Sequence, residues 1–351
     1  MIIVDVQDEI FQNNNLFNKS LWSRYIGTEL WGRLYDLCEK KNIGIVTADL
    51  ALKKYADLSN CSLVSIEITD RTKELISRGV RPEILTSAES PIFAWEFYVN
   101  LCEYGLLFNR LMLPKGVINF APEFEHKIFQ TSFPLSKNIC SNLQKYDEWN
   151  TRKRVCAIVS NRVWRPRSFR HLYQALRNPA ISSSLYGERN KAIINMSKTG
   201  LVDLYGRGWD KYVIGGNLLH YLKLKKLWKG KLDIKDSGMS NYKFSICYEN
   251  TDFPGYVTEK IFDSLAAGTI PIYFGSEHVK DILPSELYID VKQFDNISDI
   301  SEYIDNFSFD DYQLFYTALT MFCKSRKFKM NTYEAQAENI LNIMSAKFNL
   351  N

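Results

Sequence analysis

The stretch Asn241–Lys280, NYKFSICYENTDFPGYVTEKIFDSLAAGTIPIYFGSEHVK, decides the architecture of this chain. Lys243 to Tyr248 is a short apolar run of the kind that a strand buried on both faces requires. The loop Glu249 to Val257 contains Pro254 and Gly255, both turn formers. Thr258 stands at an N-cap position, Ile261, Phe262, Leu265 and Ala266 form a helical apolar stripe, and Gly268 is a natural stop. Thr269 to Phe274 reads as a second buried strand. The whole is a βαβ unit, whose crossover is right-handed.

The loop carries the chemistry because of where it points. In open α/β sheets, ligands bind beyond the carboxyl ends of the strands, beside helix N-termini. A helix start offers unpaired N–H groups and partial positive charge, which suits a phosphate. Lys260 adds a cation in the first turn, and the Glu259 carboxylate can accept two hydrogen bonds from a ribose diol. Asn250 and Tyr256 bring further donors and acceptors. An isolated Glu-Lys pair at a helix start is usually solvated; here a polar and aromatic loop lies between two buried strands, and that favours a ligand.

The pattern F-x-x-x-[FY]-E-N, a short loop, then Y-V-T-E-K stands here as Phe244, Tyr248-Glu249-Asn250 and Tyr256-Val257-Thr258-Glu259-Lys260, followed by A-G-T-I-P-I-Y-F-G-S. It resembles the donor-binding signature of the family-10 α-1,3/4-fucosyltransferases. The resemblance implies a GT-B architecture of two Rossmann-like doubly wound domains facing a cleft. It also implies GDP-fucose as donor, a glycan acceptor, no cofactor, and an inverting, metal-independent transfer giving a product expected to be α-1,3-linked. The donor-binding set it implies is Arg189, Glu249, Asn250, Tyr256, Glu259 and Lys260. Arg189 enters because R-N-K-A-I-I-N-M followed by V-D-L-Y-G-R-G resembles a family segment in which an arginine opens a helix before a Y-G-x-G-type turn. A planar guanidinium can grip a diphosphate bidentately. Arg167 and Arg170, in RPRSFRHLYQAL, compete for that role, and Gly230 and Lys235 match a Gly and Lys that often precede the donor motif. Glu89, in LTSAESPIFAW, resembles the glutamate of a strand-G-E-N loop proposed as the base, although Ala88-Glu89-Ser90 replaces Gly-Glu-Asn. Glu83 and Glu96 are neighbouring alternatives. Two rival readings are a transferase for another GDP-deoxyhexose and a catalytically dead nucleotide-sugar or glycan-binding protein.

Composition bounds the rest. A chain of 351 residues suggests two domains, and 46% hydrophobic content is ample for two cores. A net charge of +4 gives no footprint for nucleic acid. Seven scattered cysteines without CxxC spacing suit a reducing, cytoplasmic compartment. The start MIIVDVQDEIF has no basic n-region or long apolar core, and no transmembrane stretch is expected, with peripheral membrane contact left open. The resemblance is therefore to a soluble bacterial or viral-type member, acting in protein or lipopolysaccharide glycosylation. Four dispersed histidines and the absence of HExxH argue against a metal centre, and no GxGxxG or GxxxxGKS occurs. Asp310-Asp311 reads as a helix-start cap.

The first half alternates strand candidates (2–6, 43–47, 63–66, 84–86, 111–117) with helix candidates (28–40, 71–78, 91–104), as a doubly wound parallel sheet does. A polar stretch over 135–153 suggests domains of 1–150, on the acceptor side, and 151–351, binding the GDP-sugar. The second half restarts with Val155–Ser160, a helix over 189–196 and a strand over 202–205, and ends in two helices over 311–347. The aromatics Phe93, Trp95, Phe97 and Tyr98 are either walls of an acceptor cleft or core.

Overall fold

The computed structural model describes residues 1–22, 25, 27–129, 133–141, 149–198, 200, 202–232 and 238–345. By contact the chain forms two compact units, Met1–Pro134 with Met330–Asn351, and Leu135–Lys329. The division falls at 134/135 rather than at the expected 150/151, and the last helix belongs to the first unit. The reason is packing that the polar composition hides. Trp149 stacks on Tyr312 with ring centroids 4.0 Å apart and lies edge-on to Phe244, while Ile139 is fully buried.

The first unit holds β1 (Ile2–Val6), β2 (Ile45–Thr47), β3 (Ser62–Ile66), β4 (Arg81–Thr86) and β5 (Arg110–Met112), parallel throughout, in the order β2-β1-β3-β4-β5. Every residue of β1 is buried, which explains its near-continuous apolar run. Helix Thr28–Lys40 turns Leu30, Trp31, Leu34 and Cys38 inward, where they meet Ala337, Ile340, Leu341 and Met344 of helix Tyr333–Ser345. The expected strand over 111–117 ends at Met112, because Pro114 has no N–H for a ladder and opens a 3-10 turn over Lys115–Asn119. Trp95, Phe97 and Tyr98 are core.

The second unit holds β6 (Lys153–Ile158), β7 (Val202–Tyr205), β8 (Tyr242–Tyr248), β9 (Ile270–Phe274) and β10 (Ile289–Asp290), also parallel, in the order β10-β9-β8-β6-β7. The βαβ unit is present as read, with a helix over Glu259–Ala266 between β8 and β9. Two-residue β10 was too short to expect. The C-terminal region is three helices, Phe309–Lys324, Arg326–Met330 and Tyr333–Ser345, and Asp311 closes a capping box with Ser308 at the first of them.

Both sheets are doubly wound, as the expected fold class requires. In the first, the chain steps from β1 out to β2 and then to β3 on the other side. In the second it steps from β6 to β7 and then across to β8. Each reversal leaves a crevice at the carboxyl ends of two central strands, between β1 and β3 and between β6 and β8. Among the described residues no helix is long and apolar enough to cross a membrane.

Candidate functional site

The crevice between β6 and β8 gathers most of the expected residues. Glu249 follows β8 directly and is 0% exposed. Its Oε1 accepts the Thr258 N–H at 2.7 Å, and its Oε2 accepts the Thr258 hydroxyl at 2.7 Å and Lys260 Nζ at 2.8 Å. The carboxylate thus caps the start of helix Glu259–Ala266 from outside the helix; Thr258 occupies the N-cap position without a side-chain capping bond of its own. A buried charge needs such pairing. Gly275 makes room for it, since a Cβ there would lie 2.6 Å from Glu249 Cγ and 2.6 Å from the Tyr273 hydroxyl. Both oxygens accept bonds within the protein, and through them Glu249 orients Lys260 and the loop.

Lys260 is held by two acceptors, Glu249 and the Thr258 oxygen at 2.8 Å, and its side chain retains 21% exposure. An ammonium has three donors, so one N–H is left for a ligand. Burial works against its charge, yet Glu249 and Glu259 outweigh burial and hold Lys260 above its ordinary range, with Arg189 opposing them. Lys260 is a permanent cation at neutral pH.

Arg189 lies in helix Tyr186–Ser197 and is 4% exposed. One terminal nitrogen donates to the Ser160 carbonyl, just past β6, at 2.9 Å; its Nε is buried with no hydrogen-bond partner among the described residues. Burial pulls its pKa down to about 10, Arg162 adds to the fall and Tyr186 opposes it, so the guanidinium stays charged near neutrality. The helix is set against the β8 loop by backbone bonds. Leu185 N–H donates to the Asn250 carbonyl at 2.9 Å, and the Thr251 hydroxyl donates to the Ser183 carbonyl at 2.6 Å. Arg162, which sequence reasoning passed over, acts on the Tyr186 hydroxyl together with Arg189 and Lys260. Burial holds the Tyr186 proton above its ordinary range, and the three cations Arg162, Arg189 and Lys260 oppose it. The signal available in the sequence was only that Arg162 follows a buried strand by a few residues.

Of the remaining candidates, Tyr256 is 5% exposed and closes a turn to Phe253, whereas Asn250 and Glu259 are half-buried. Arg167 and Arg170 are both exposed at or near the start of helix Phe169–Arg177. Gly230 adopts φ +105° and its carbonyl accepts the Gly206 N–H at 3.0 Å; Gly206 (φ +130°) packs so tightly that a Cβ would meet the Val159 carbonyl. Lys235 lies outside the described residues. Beside the cation cluster is a cavity of about 240 Å³ shared through Arg162 and Tyr186 and walled by Trp164, Trp209, Tyr212 and Tyr221. Among the described residues no group of three or more His, Cys, Asp or Glu side chains is placed to hold a metal.

Glu89 lies in the first unit, on the loop after β4, and is exposed; its backbone N–H donates to Ser87 Oγ at 3.2 Å and its carbonyl accepts the Tyr98 hydroxyl at 2.8 Å. Glu83 is within β4 near the amino ends of the strands, where Asn109 donates to it at 2.9 Å, and Glu96 is exposed on a short helix.

Residues 149–340 match the family model described as Glycosyltransferase family 10 (fucosyltransferase) C-term, more than half of the chain. An α-(1,3)-fucosyltransferase of Helicobacter pylori is 46% identical over 71 residues, 20% of this chain and 15% of that enzyme. An α-(1,4)-fucosyltransferase of Arabidopsis thaliana is 42% identical over 66 residues, 19% of this chain and 16% of that one. The matches thus span about one sixth of those relatives. A crystal structure of an α1,3-fucosyltransferase with GDP-fucose superposes with TM-score 0.51 at 15% identity, covering 99% of this chain and 90% of that one, a likeness of fold.

Proposed function

The chain belongs to glycosyltransferase family 10, the fucosyltransferases, and from that premise we propose that it moves L-fucose from GDP-fucose to a glycan hydroxyl. Arg189 and Lys260 bind the diphosphate, with Arg162 beside them. Glu259 holds the ribose, Asn250 and Tyr256 complete the donor loop, and the aromatic cavity receives the nucleoside. Glu249 positions Lys260.

The acceptor oxygen attacks the anomeric carbon of β-linked GDP-fucose from the face opposite the leaving group. That inverts the centre and yields an α-fucoside, which we take to be α-1,3-linked. The departing diphosphate needs charge stabilisation without reorganisation, and fixed guanidinium and ammonium groups at a helix start supply it. These protein cations support a metal-independent transfer. A carboxylate of the first unit takes the acceptor proton, and Glu89 is the candidate the sequence offers. Seven free thiols are in keeping with a reducing, cytoplasmic setting.

The observation that carries the reading is the buried Glu249–Lys260 pair aimed, with Arg189, at the crevice between β6 and β8. Calorimetric titration with GDP tests it. Lys260→Ala weakens GDP binding about a hundredfold, the scale of losing a charge-assisted phosphate contact in a dry site. Unchanged affinity in that variant contradicts the assignment. Turnover of GDP-mannose as fast as GDP-fucose would contradict the choice of sugar.

A further inference from the structure

Helix Phe169–Arg177, in the second unit, is built the wrong way round for a surface helix. Phe169, Leu172, Tyr173 and Leu176 recur at the i, i+3, i+4, i+7 spacing that normally turns an apolar stripe to the core. Here the inward face carries His171 and Ala175 instead, and the stripe meets solvent. Phe169 is 91% exposed and Leu176 77%, with Tyr173 and Leu172 exposed as well. His171 fixes that orientation. Its Nδ1 accepts the Arg167 N–H at 3.1 Å, its backbone N–H donates to Ser168 Oγ at 3.1 Å, and its ring meets Trp164 edge-on at 5.7 Å. Large apolar side chains exposed together mark a surface that something else covers.

The charge around the stripe says what covers it. Residues 161–187 contain five arginines and no Asp or Glu. Arg165, Arg167, Arg170 and Arg177 are exposed, and Arg177 donates to the Tyr173 hydroxyl at 2.8 Å, which sets a cation at the edge of the stripe. The same unit has a second segment of this composition. Residues 211–232 contain six lysines and no acid, and Leu218, Leu219 and Leu222 are exposed at the start of helix Leu218–Leu227. Both segments contribute to one cavity wall, through Trp164 in the first and through His220 and Tyr221 in the second.

An outward apolar stripe rimmed by cations with no acid among them is the pattern of a helix lying in the interface of an anionic bilayer. Its size favours lipid over protein. A stable protein contact covers about 800 Å² per partner, whereas nine residues make a helix only about 13 Å long. A bilayer takes up a few side chains singly, with aromatic rings at headgroup level. We propose that the second unit docks on membranes bearing anionic phospholipid. Phe169, Leu172, Tyr173 and Leu176 enter the headgroup boundary, and Arg165 and Arg177 meet the phosphates. The docking is read from binding alone and stands or falls separately from fucosyl transfer.

The test is flotation of the full chain with vesicles of phosphatidylcholine alone and of equal parts phosphatidylcholine and phosphatidylglycerol, beside GDP affinity and sedimentation velocity. The expected result is binding at least tenfold tighter to the anionic vesicles, lost at about 0.5 M salt. Phe169→Ser with Leu176→Ser weakens it at least tenfold. Arg165→Gln with Arg177→Gln weakens it about 25-fold, at about fivefold for each charge. Leu314→Ser with Met321→Ser removes two exposed apolar side chains from a helix that begins with Asp310 and Asp311, and leaves binding within twofold. All these side chains are exposed, so GDP affinity stays within twofold of wild type and reports that the variants are folded. Equal binding to both kinds of vesicle, binding to neither, or a Phe169→Ser, Leu176→Ser protein that binds within threefold of wild type overturns the proposal. So does a wild-type dimer that those two substitutions dissociate, because a second copy of the chain then covers the face.

Discussion

The two crevices share a topology and differ in charge. Between β6 and β8 the cations Arg162, Arg189 and Lys260 act on one phenol, and a buried carboxylate, Glu249, serves to fix a lysine. Between β1 and β3 the order is inverted. A cation, Arg71, serves to silence one carboxylate, Asp5, and among the described residues no ion pair is made by a second, Glu67. Parallel strands reversing direction explain why ligands gather at both places. They do not say what is bound. That is decided by which charges are paired within the protein and which are left over.

If the pairing at the second crevice is as described, breaking it is the most damaging change. Lys260→Ala strands Glu249 in a buried site, and loss of one partner of such a pair costs about 3–5 kcal/mol. Urea unfolding should show it as a lowered midpoint with an unchanged slope. A loss below about 1 kcal/mol would mean that solvent reaches Glu249.

A subtler probe leaves the charges alone and moves one of them. Gly275→Ala drives a methyl group against Glu249 Cγ and the Tyr273 hydroxyl, each 2.6 Å from the new carbon. Overpacking of this kind costs about 1–3 kcal/mol. Since it displaces the carboxylate that aims Lys260, GDP affinity should fall with stability; stability lost without any change in affinity would separate the two roles.

The smallest effect has the opposite sign and sharpens the contrast. A carboxyl whose folded pKa is raised favours folding in acid, and that contribution is lost as pH rises from the unfolded value, near 4.3, through the folded one. Replacing Glu67 by Gln therefore stabilises the protein at pH 8 relative to wild type and gives no such gain at pH 4. Thermal unfolding at the two pH values reads the difference. A gain equal at both would assign the effect to the strained backbone instead of the charge.

The fold was legible where it depends on local apolar runs. The strands of both sheets other than β10, and helices 28–40 and 259–266, follow from buried stretches and punctuation by Gly and Pro. Legibility failed where a few side chains act against their surroundings. Trp149 and Ile139 draw a polar segment into the second unit, and Pro114 shortens a strand. At the donor loop the motif names Lys260 and Glu249 alike, and spacing cannot show that both Glu249 carboxylate oxygens accept bonds within the protein, one of them from Lys260. Glu67 was invisible. Its interest comes from a positive φ and a bond to a serine 20 residues away, neither of which leaves a pattern in the chain.

The central claim is that one crevice holds a nucleoside diphosphate by protein cations while a carboxylate activates a sugar hydroxyl. Release of GDP from GDP-fucose, measured in EDTA with and without a panel of glycan acceptors, addresses it most directly. The account predicts release that an acceptor accelerates at least tenfold and that the chelator leaves unchanged. Saturable GDP binding with no release under any acceptor, or release abolished by EDTA and restored by a divalent cation, would contradict it.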